Sequence, residues 1–433
     1  MTTPAPAEVP QSNPEAARCD FYLKHKRRFC KSEKRPSHTL CPSHAAEVDG
    51  DPNAKRVPCP INPNHSVYER DLKRHVAVCP DRRFDPSALP YYSLDLHANR
   101  WAKQCKVSDD DTDPEEGGNE APRAEGEHPP VRLTHRDLAP DARAQLIAKV
   151  CAIYKKRVEP MIRTLANPEL VAVTPMVPPS AECYSQKHGP QHDALIRLIL
   201  EGSNGLAGVG AVVEMGAGKG GLAYALGVAL PDATVRPKVF VIDIGGFRRK
   251  KDGRVQHEEG KTITRLRLNI KDLNLNAVPE MQLAAGGSPA KKVVGCGKHL
   301  CGACTDFALS CLTDGTSRHQ LSCIAIATCC HQLCELRHMN PPIPSDSSTS
   351  SILAEFSERG EFAAIASMSS WAVSGEHTVT AEQEEVGFKC KRVIDCARVE
   401  YLRSLGVFRH VELCEYVPRR ISKENVCILA MGG

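Results

Sequence analysis

The sequence predicts an α/β protein whose main domain is built on a mostly parallel sheet and follows two small modules rich in cysteine and histidine. Three observations point there. From Gly210 to about Gly302, short Val/Ile-rich runs alternate with Gly-rich turns and helical segments, the pattern of βαβ units. Five of the 20 cysteines lie between residues 19 and 79, in a stretch dense in Lys, Arg and His. An acidic segment containing Gly and Pro divides the two regions. A chain of 433 residues has room for several domains and at least one sizeable core.

Taken in order, residues 1–17 are rich in Pro, Ala and Ser without apolar periodicity and read as a disordered tail. From Arg18 to Arg83 there are 15 Lys and Arg against 8 Asp and Glu, although the whole chain has a net charge of only +4. Attraction to nucleic acid must therefore come from local patches such as this one. Within it, 56–83 carries Cys59, His65, His75 and Cys79 as C-x5-H-x9-H-x3-C. Thiolate and imidazole are the donors of four-coordinate Zn²⁺, and His75 and Cys79 share a helical face. A Pro/Asn turn between the first two ligands folds the loop back to the metal. Residues 18–48 carry a second set, Cys19, Cys30, Cys41 and His44, as C-x10-C-x10-C-x2-H. Two structural zinc sites are expected from these sets.

Residues 107–130 read as an acidic linker: Ser108 to Pro130 holds nine acidic residues and one Arg among Gly and Pro, a composition that supports no core. The main domain, 131–433, opens on a helical lead-in with Leu146, Ile147, Val150 and Ile153 at helical spacing. A further helix is expected at 192–202, and Asn340 to Ser351 reads as a polar surface loop. No apolar run approaches the roughly 18 residues of a membrane span. The N-terminus has neither a basic nor an apolar signal region, which places the protein in the cytoplasm or nucleus, neither secreted nor in a membrane. In such a compartment 20 cysteines read as metal ligands or buried thiols, not disulfides.

Val212 to Leu226 is a strand bearing Glu214, a turn with Gly216, Gly218 and Gly220, and a helix. Such a turn lets a ligand approach bare backbone at the carboxyl end of a first strand. Dinucleotide folds seat a pyrophosphate there, but a carboxylate before the turn suits a cationic group better. S-adenosylmethionine carries an ammonium and a sulfonium, and E-x-G-x-G-x-G resembles the motif of class I (Rossmann-like) methyltransferases. The next strand ends in Asp243, 29 residues beyond Glu214, where a carboxylate can accept both ribose hydroxyls. After the third strand, Asn269 or Asp272 stands near the expected adenine.

The fingers add a resemblance of their own. The pattern at 56–83 is similar to the CHHC finger of a minor-spliceosome protein and of a family of tRNA ribose methyltransferases; that at 18–48 is similar to the CCCH finger preceding it in those enzymes. KKVVGCGKHLCGACTDFALSC (291–311), IAIATCCHQLC (324–334), SMSSWAV (367–373), VGFKCKRVIDCARVEYLRSLGV (386–407) and CYSQKHGPQHDALI (183–196) also resemble that family. On these motifs the chain is identified as a member of the tRNA:m4X modification enzymes, which methylate the ribose 2′-hydroxyl of nucleotide four in the acceptor stem of certain tRNAs. The resemblance implies S-adenosyl-L-methionine, Zn²⁺ and tRNA as cofactors and partner; no obligate protein partner is inferred from the sequence. Gln332 stands where the family usually has a second His, and Asn269 where it usually has Asp.

Lys298 and His299 are expected just past the fourth strand, at the edge where open α/β sheets bind ligands. Lys298 reads as a base or a phosphate-neutralising cation, and His299 and His331 as further proton acceptors. The basic run Arg248, Arg249, Lys250 and Lys251 reads as a phosphate-binding loop. Of the eight cysteines from 296 to 334, most sit in apolar strands or helix starts and read as small buried hydrophobes. The C-x2-C at Cys301 and Cys304 leaves metal binding or substrate contact open. Two other functions remain: an inactive RNA-binding adaptor, which the intact Gly turn disfavours, and a methyltransferase of protein or small molecules, which the basic fingers disfavour.

Overall fold

The computed structural model describes residues 12–13, 17–23, 28–34, 38–41, 44–45, 55–61, 66–79, 82, 84–105, 133–164, 176–179, 188–230, 237–247, 263–281, 292–315, 320–343, 351–356, 360–374 and 379–433. His65, the acidic linker, the run Arg248, Arg249, Lys250 and Lys251, most of 1–17 and part of the 340–351 loop lie outside the described residues. The chain divides into two compact units, Met1–Phe84 and Asp85–Gly433.

In the first unit, β1 (Tyr22–Leu23) and β2 (Arg28–Phe29) pair antiparallel. Backbone bonds from Cys19 N to Ser32 O (2.9 Å) and from Cys30 N to Phe21 O (2.8 Å) bring two cysteines to the same end of this hairpin. A second hairpin, β3 (Arg56–Pro58) with β4 (Ser66–Tyr68), is followed by α1 (Leu72–Val78). His75 is the buried residue of that helix, and Cys79 ends it.

The second unit is an eight-stranded sheet flanked by helices. Its strands are β5 (Ile162–Arg163), β6 (Val209–Met215), β7 (Lys238–Ile242), β8 (Ile263–Leu266), β9 (Lys292–Cys301), β10 (Leu321–Cys329), β11 (Phe408–Glu415) and β12 (Val426–Gly432). The order is β5-β11-β12-β10-β9-β6-β7-β8, and β12 alone runs antiparallel to its neighbours. Burial on both faces explains why β6 and β10 are apolar without interruption apart from small or functional residues. Strand alternation divides the core: Ala211, Val213 and Met215 of β6 face one side and Val212 the other, which Val209 joins because a register shift separates it from Ala211. The first side packs on α2 (Arg100–Cys105), α3 (Pro140–Ile153), α6 (Cys304–Thr313), α7 (Glu361–Met368) and α8 (Ala381–Ser404). The second packs on α4 (Gly189–Gly202) and α5 (Gly221–Ala229). A reciprocal capping box starts α8: Gln383 N donates to Thr380 Oγ1 (3.2 Å) and Thr380 N to Gln383 Oε1 (2.9 Å).

Residues 85–105, which the sequence reading assigns to no domain, belong to this unit. Tyr92 bridges Leu273, and His97 N donates to Lys271 O at 2.9 Å. His97 is itself buried between Ser310 Oγ (3.0 Å) and Leu273 O (2.9 Å), and burial lowers its pKa. Among the described residues no helix is long and apolar enough to cross a membrane.

Candidate active site

From β6 the chain builds β7 and β8 on one side, then β9 and β10 on the other. The crevice beyond the carboxyl ends at such a reversal is where open α/β sheets bind ligands. Glu214 lies there, 3% exposed, on the face of β6 opposite Met215. Its Oε2 accepts from Ala223 N at 2.8 Å, placing the carboxylate on the first turn of α5, where backbone donors lack helical partners.

The turn between them carries Gly216 (φ 61°), Gly218 (φ 54°) and Gly220 (φ 74°), all in the left-handed region. A Cβ on Gly216 would stand 2.5 Å from Leu300 Cδ2, so packing against β9 forbids one. On Gly218 it would meet nothing within 4 Å, so this backbone faces open space that a ligand can enter. Asp243, at the end of β7, fixes the turn: Gly218 N donates to its Oδ2 and Gly245 N to its Oδ1, each at 2.7 Å. Glu214, the glycines and Asp243 are thus brought together as one cradle, of the kind an adenosyl group with a cationic tail fits.

Asn269 and Asp272 each have a protein partner of their own. Asn269 Oδ1 accepts from Lys271 N (3.1 Å) and caps a short helical turn. Asp272 Oδ1 accepts from Asp95 N (2.7 Å), tying the 85–105 segment down, and burial raises its carboxyl pKa.

Lys298 and His299 lie within β9, not past its end, because β9 outruns β6. Pairing with β6 stops at Gly297, opposite Met215, whereas pairing with β10 continues to Cys301, opposite Cys329. The overhang stands beside the start of α4. Lys298 is 7% exposed, with Nζ 3.1 Å from His188 Nδ1. The His188 ring meets His299 edge-on at 5.8 Å and stacks on His192 at 6.3 Å. His299 is exposed and has φ 66°, a strained conformation for a residue with a side chain. His192 reaches the first turn of α5, its Cε1 3.4 Å from where a Cβ on Gly221 would lie. The sequence reading did not single out His192, which joins the candidate cluster by position; its signal is the i, i+4 spacing of HGPQH at a helix start.

His331 does not join this cluster as an accessible base. It is fully buried, its Nε2 bonded to Asp395 Oδ1 at 2.8 Å and its Nδ1 without a hydrogen-bond partner among the described residues. Burial, opposed by Asp395, pushes its pKa down to about 4. Asp395 also binds Arg398 (3.1 Å), Arg392 (2.9 Å) and Thr328 Oγ1 (3.0 Å), and Arg398 grips Asp306 with two bonds. Burial alone would raise the Asp395 pKa, but His331 and the two guanidiniums outweigh it and hold the carboxyl well below its usual range.

A group held neutral in the fold stabilises it fully above its unfolded pKa, near 6.5, and loses that contribution as pH falls toward the folded value. His331, at about 4 when folded, should therefore cost about 3 kcal/mol of stability between those limits. Denaturant titrations at pH 7 and pH 4.5 should show a shallower loss for His331→Gln, whose amide can still donate to Asp395. Equal losses in both proteins would show that His331 is not held neutral.

In the first unit, Cys19, Cys30, Cys41 and His44 converge, as do Cys59, His75 and Cys79. Around tetrahedral zinc the sulfurs stand about 3.8 Å apart and sulfur to nitrogen about 3.5 Å. The structure has Cys59 Sγ to Cys79 Sγ at 3.7 Å, and His44 Nδ1 at 3.4 Å from both Cys19 Sγ and Cys41 Sγ. Both sets fit zinc. Cys301 gathers with Cys329 and Cys330, while its sequence partner Cys304 stays outside that group. Elsewhere, a cavity of about 610 Å³ is lined by Arg136, Arg143, Ser370 and Trp371 among others, and touches none of the cradle residues.

Comparison with known proteins now places the chain. The family described as Methyltransferase TRM13 matches residues 190–431, more than half of the sequence. The chain belongs to the TRM13 methyltransferase family. The CCCH zinc finger of TRM13 proteins matches 17–45, and the U11-48K-like CHHC zinc finger matches 56–80, overlaying the two ligand sets. Among TRM13 relatives, the tRNA:m(4)X modification enzyme of Vanderwaltozyma polyspora is 25% identical over 97% of this chain and 99% of its own length. The Homo sapiens homolog is 25% identical over 100% of this chain and 98% of its own. A solved structure, human N-acetylserotonin methyltransferase with its bound SAM, aligns at 12% identity over 68% of each chain with a TM-score of 0.24.

Proposed function

We propose that this TRM13-family methyltransferase uses S-adenosyl-L-methionine to methylate the ribose 2′-hydroxyl of nucleotide four in the acceptor stem of tRNA. The observation that carries the reading is the juxtaposition at the β6/β9 edge of the Gly cradle with the Lys298, His188 and His299 cluster. It stands in a chain whose full-length relatives bear the name tRNA:m(4)X modification enzyme. Glu214, Gly216, Gly218, Gly220 and Asp243 would hold the cofactor, which supplies an electrophilic methyl when bound. Lys298 and His299 face the ribose: Lys298 takes the hydroxyl proton or, as a cation, steadies the 2′-oxygen, and His188 fixes its Nζ. Asn269, Asp272 and His331 act through the scaffold. The fingers and the run Arg248, Arg249, Lys250 and Lys251 dock the stem through its phosphates, because side chains cannot read the deep A-form major groove.

The test is transfer of labelled methyl from the cofactor to unmodified tRNA, followed by alkaline hydrolysis, which a 2′-O-methyl group blocks at its own linkage. One resistant linkage after nucleotide four is expected. Label on a base, or on protein with tRNA unlabelled, would overturn the reading. Affinity for tRNA should also fall steeply with salt and lose much of that dependence without residues 1–83.

A further inference from the structure

Where β9 and β10 outrun the sheet, three thiols meet. We infer that Cys301, Cys329 and Cys330 form a third metal site, taking a thiophilic cation of the Zn²⁺ class with an open fourth position. Their Sγ atoms all lie within 4.8 Å of one another. Cys301 and Cys330 Sγ are 3.2 Å apart, about 0.6 Å closer than sulfurs around a tetrahedral zinc, so the pair would part slightly to take the ion. Cys301 and Cys329 are register partners across the two strands, which puts their side chains on one side of the sheet. Cys330 would point the opposite way if the strand continued. Instead its backbone turns left-handed, at φ 49° and ψ 41°, and returns its sulfur to the other two. That conformation is unfavourable for a residue with a Cβ and needs something to hold it.

Core packing accounts for Cys329, which is buried, but not for the other two. Cys296, Cys311, Cys323 and Cys334 are buried, as the sequence reading expects, whereas Cys301 is exposed and Cys330 half-buried. Three thiolates select zinc-class or cuprous ions over hard cations. Binding would release the thiol protons to solvent, so affinity should weaken as pH falls. The fourth position opens near Glu424, whose Oε1 lies 3.4 Å from Cys330 N and whose other oxygen pairs with Lys391. A cation here would tie together the overhanging strand ends three residues beyond Lys298, stiffening the edge that presents it.

The experiment is metal analysis of the full chain purified with zinc under reducing conditions, alongside Cys301→Ser and Cys330→Ser. The fingers contribute equally to all three proteins, so the difference isolates this site whether or not the fingers are fully loaded. Wild type should exceed each variant by about one zinc per chain. In the wild type, which needs no variant, Cys301 should alkylate slowly in native protein and quickly after a chelator is added. Equal metal contents, or Cys301 alkylation indifferent to chelator, would overturn the site. So would recovery of a Cys301–Cys330 disulfide peptide from protein kept reduced, which would make the pair a redox couple instead.

Discussion

Lys298→Ala should cut turnover by about 10²-fold or more while leaving the cofactor dissociation constant within a few-fold of wild type. The split follows from where the two halves of the site come from. The cradle belongs to β6, α5 and the end of β7, and Asp243 holds it through Gly218 N and Gly245 N. Lys298 belongs to the overhang of β9 and is held by His188 of the α4 entry. Asp243→Ala should accordingly raise the cofactor dissociation constant, because it releases two backbone donors and loosens the turn. Both constants should be measured for both variants, with single-turnover methylation for Lys298→Ala. A base must shed its proton before it can accept another, so if Lys298 is the base, wild-type turnover rises with pH to a plateau and the variant loses that limb. If it is a cationic clamp, the profile keeps its shape and only its height falls. Normal single-turnover chemistry in Lys298→Ala would pass the role to His299 or His188; His331, fully buried and bonded to Asp395, is not positioned for it.

What the sequence shows well is whatever is encoded locally. The Gly turn, the strand before it and the helix after it are a contiguous run, and each finger ligand set sits within a few tens of residues. The features that escaped are set by partners far along the chain. Whether β9 ends at Gly297 or Cys301 depends on β10 outrunning β6, which no local pattern around Lys298 records. His331 looks like a catalytic histidine in its own segment and becomes a buried one because α8 brings Asp395 from 64 residues away. Nothing around Asp272 tells that Asp95, 177 residues earlier, donates to its carboxylate. The C-x2-C spacing sets Cys301 beside Cys304, but Cys304 begins α6, and the thiols that gather with Cys301 are Cys329 and Cys330 from the end of the next strand. His188 and His192 had a readable helical spacing, but their meeting with β9 depends on how α4 packs.

Stripping zinc from the protein should unfold the Met1–Phe84 unit and leave the Asp85–Gly433 unit folded. The reason is the size of the competing terms. In the first finger the buried apolar cluster among the described residues consists of Cys19, Cys30 and Cys41 themselves, with Phe21 and Leu40 only partly buried against it. In the second, the buried residues beside Val67, among the described ones, are Cys59, His75 and Cys79. Burying one Val-sized side chain contributes about 2 kcal/mol, against an apparent 10 kcal/mol or more for a structural zinc near neutral pH. Hairpins of two or three residues per strand have no independent stability to fall back on. The second unit instead has an eight-stranded sheet with apolar packing on both faces. Hydrogen exchange with and without chelator should therefore show the Cys30 and Cys19 amides, bonded to Phe21 O and Ser32 O, losing protection together. Amides of β6 and β10 should keep theirs. Cys59→Ser should lower bound zinc by about one per chain and expose β3 and β4 without touching the first finger. Retained protection of both hairpins in metal-free protein would mean that their few contacts suffice, and that the convergent thiols are not what folds them.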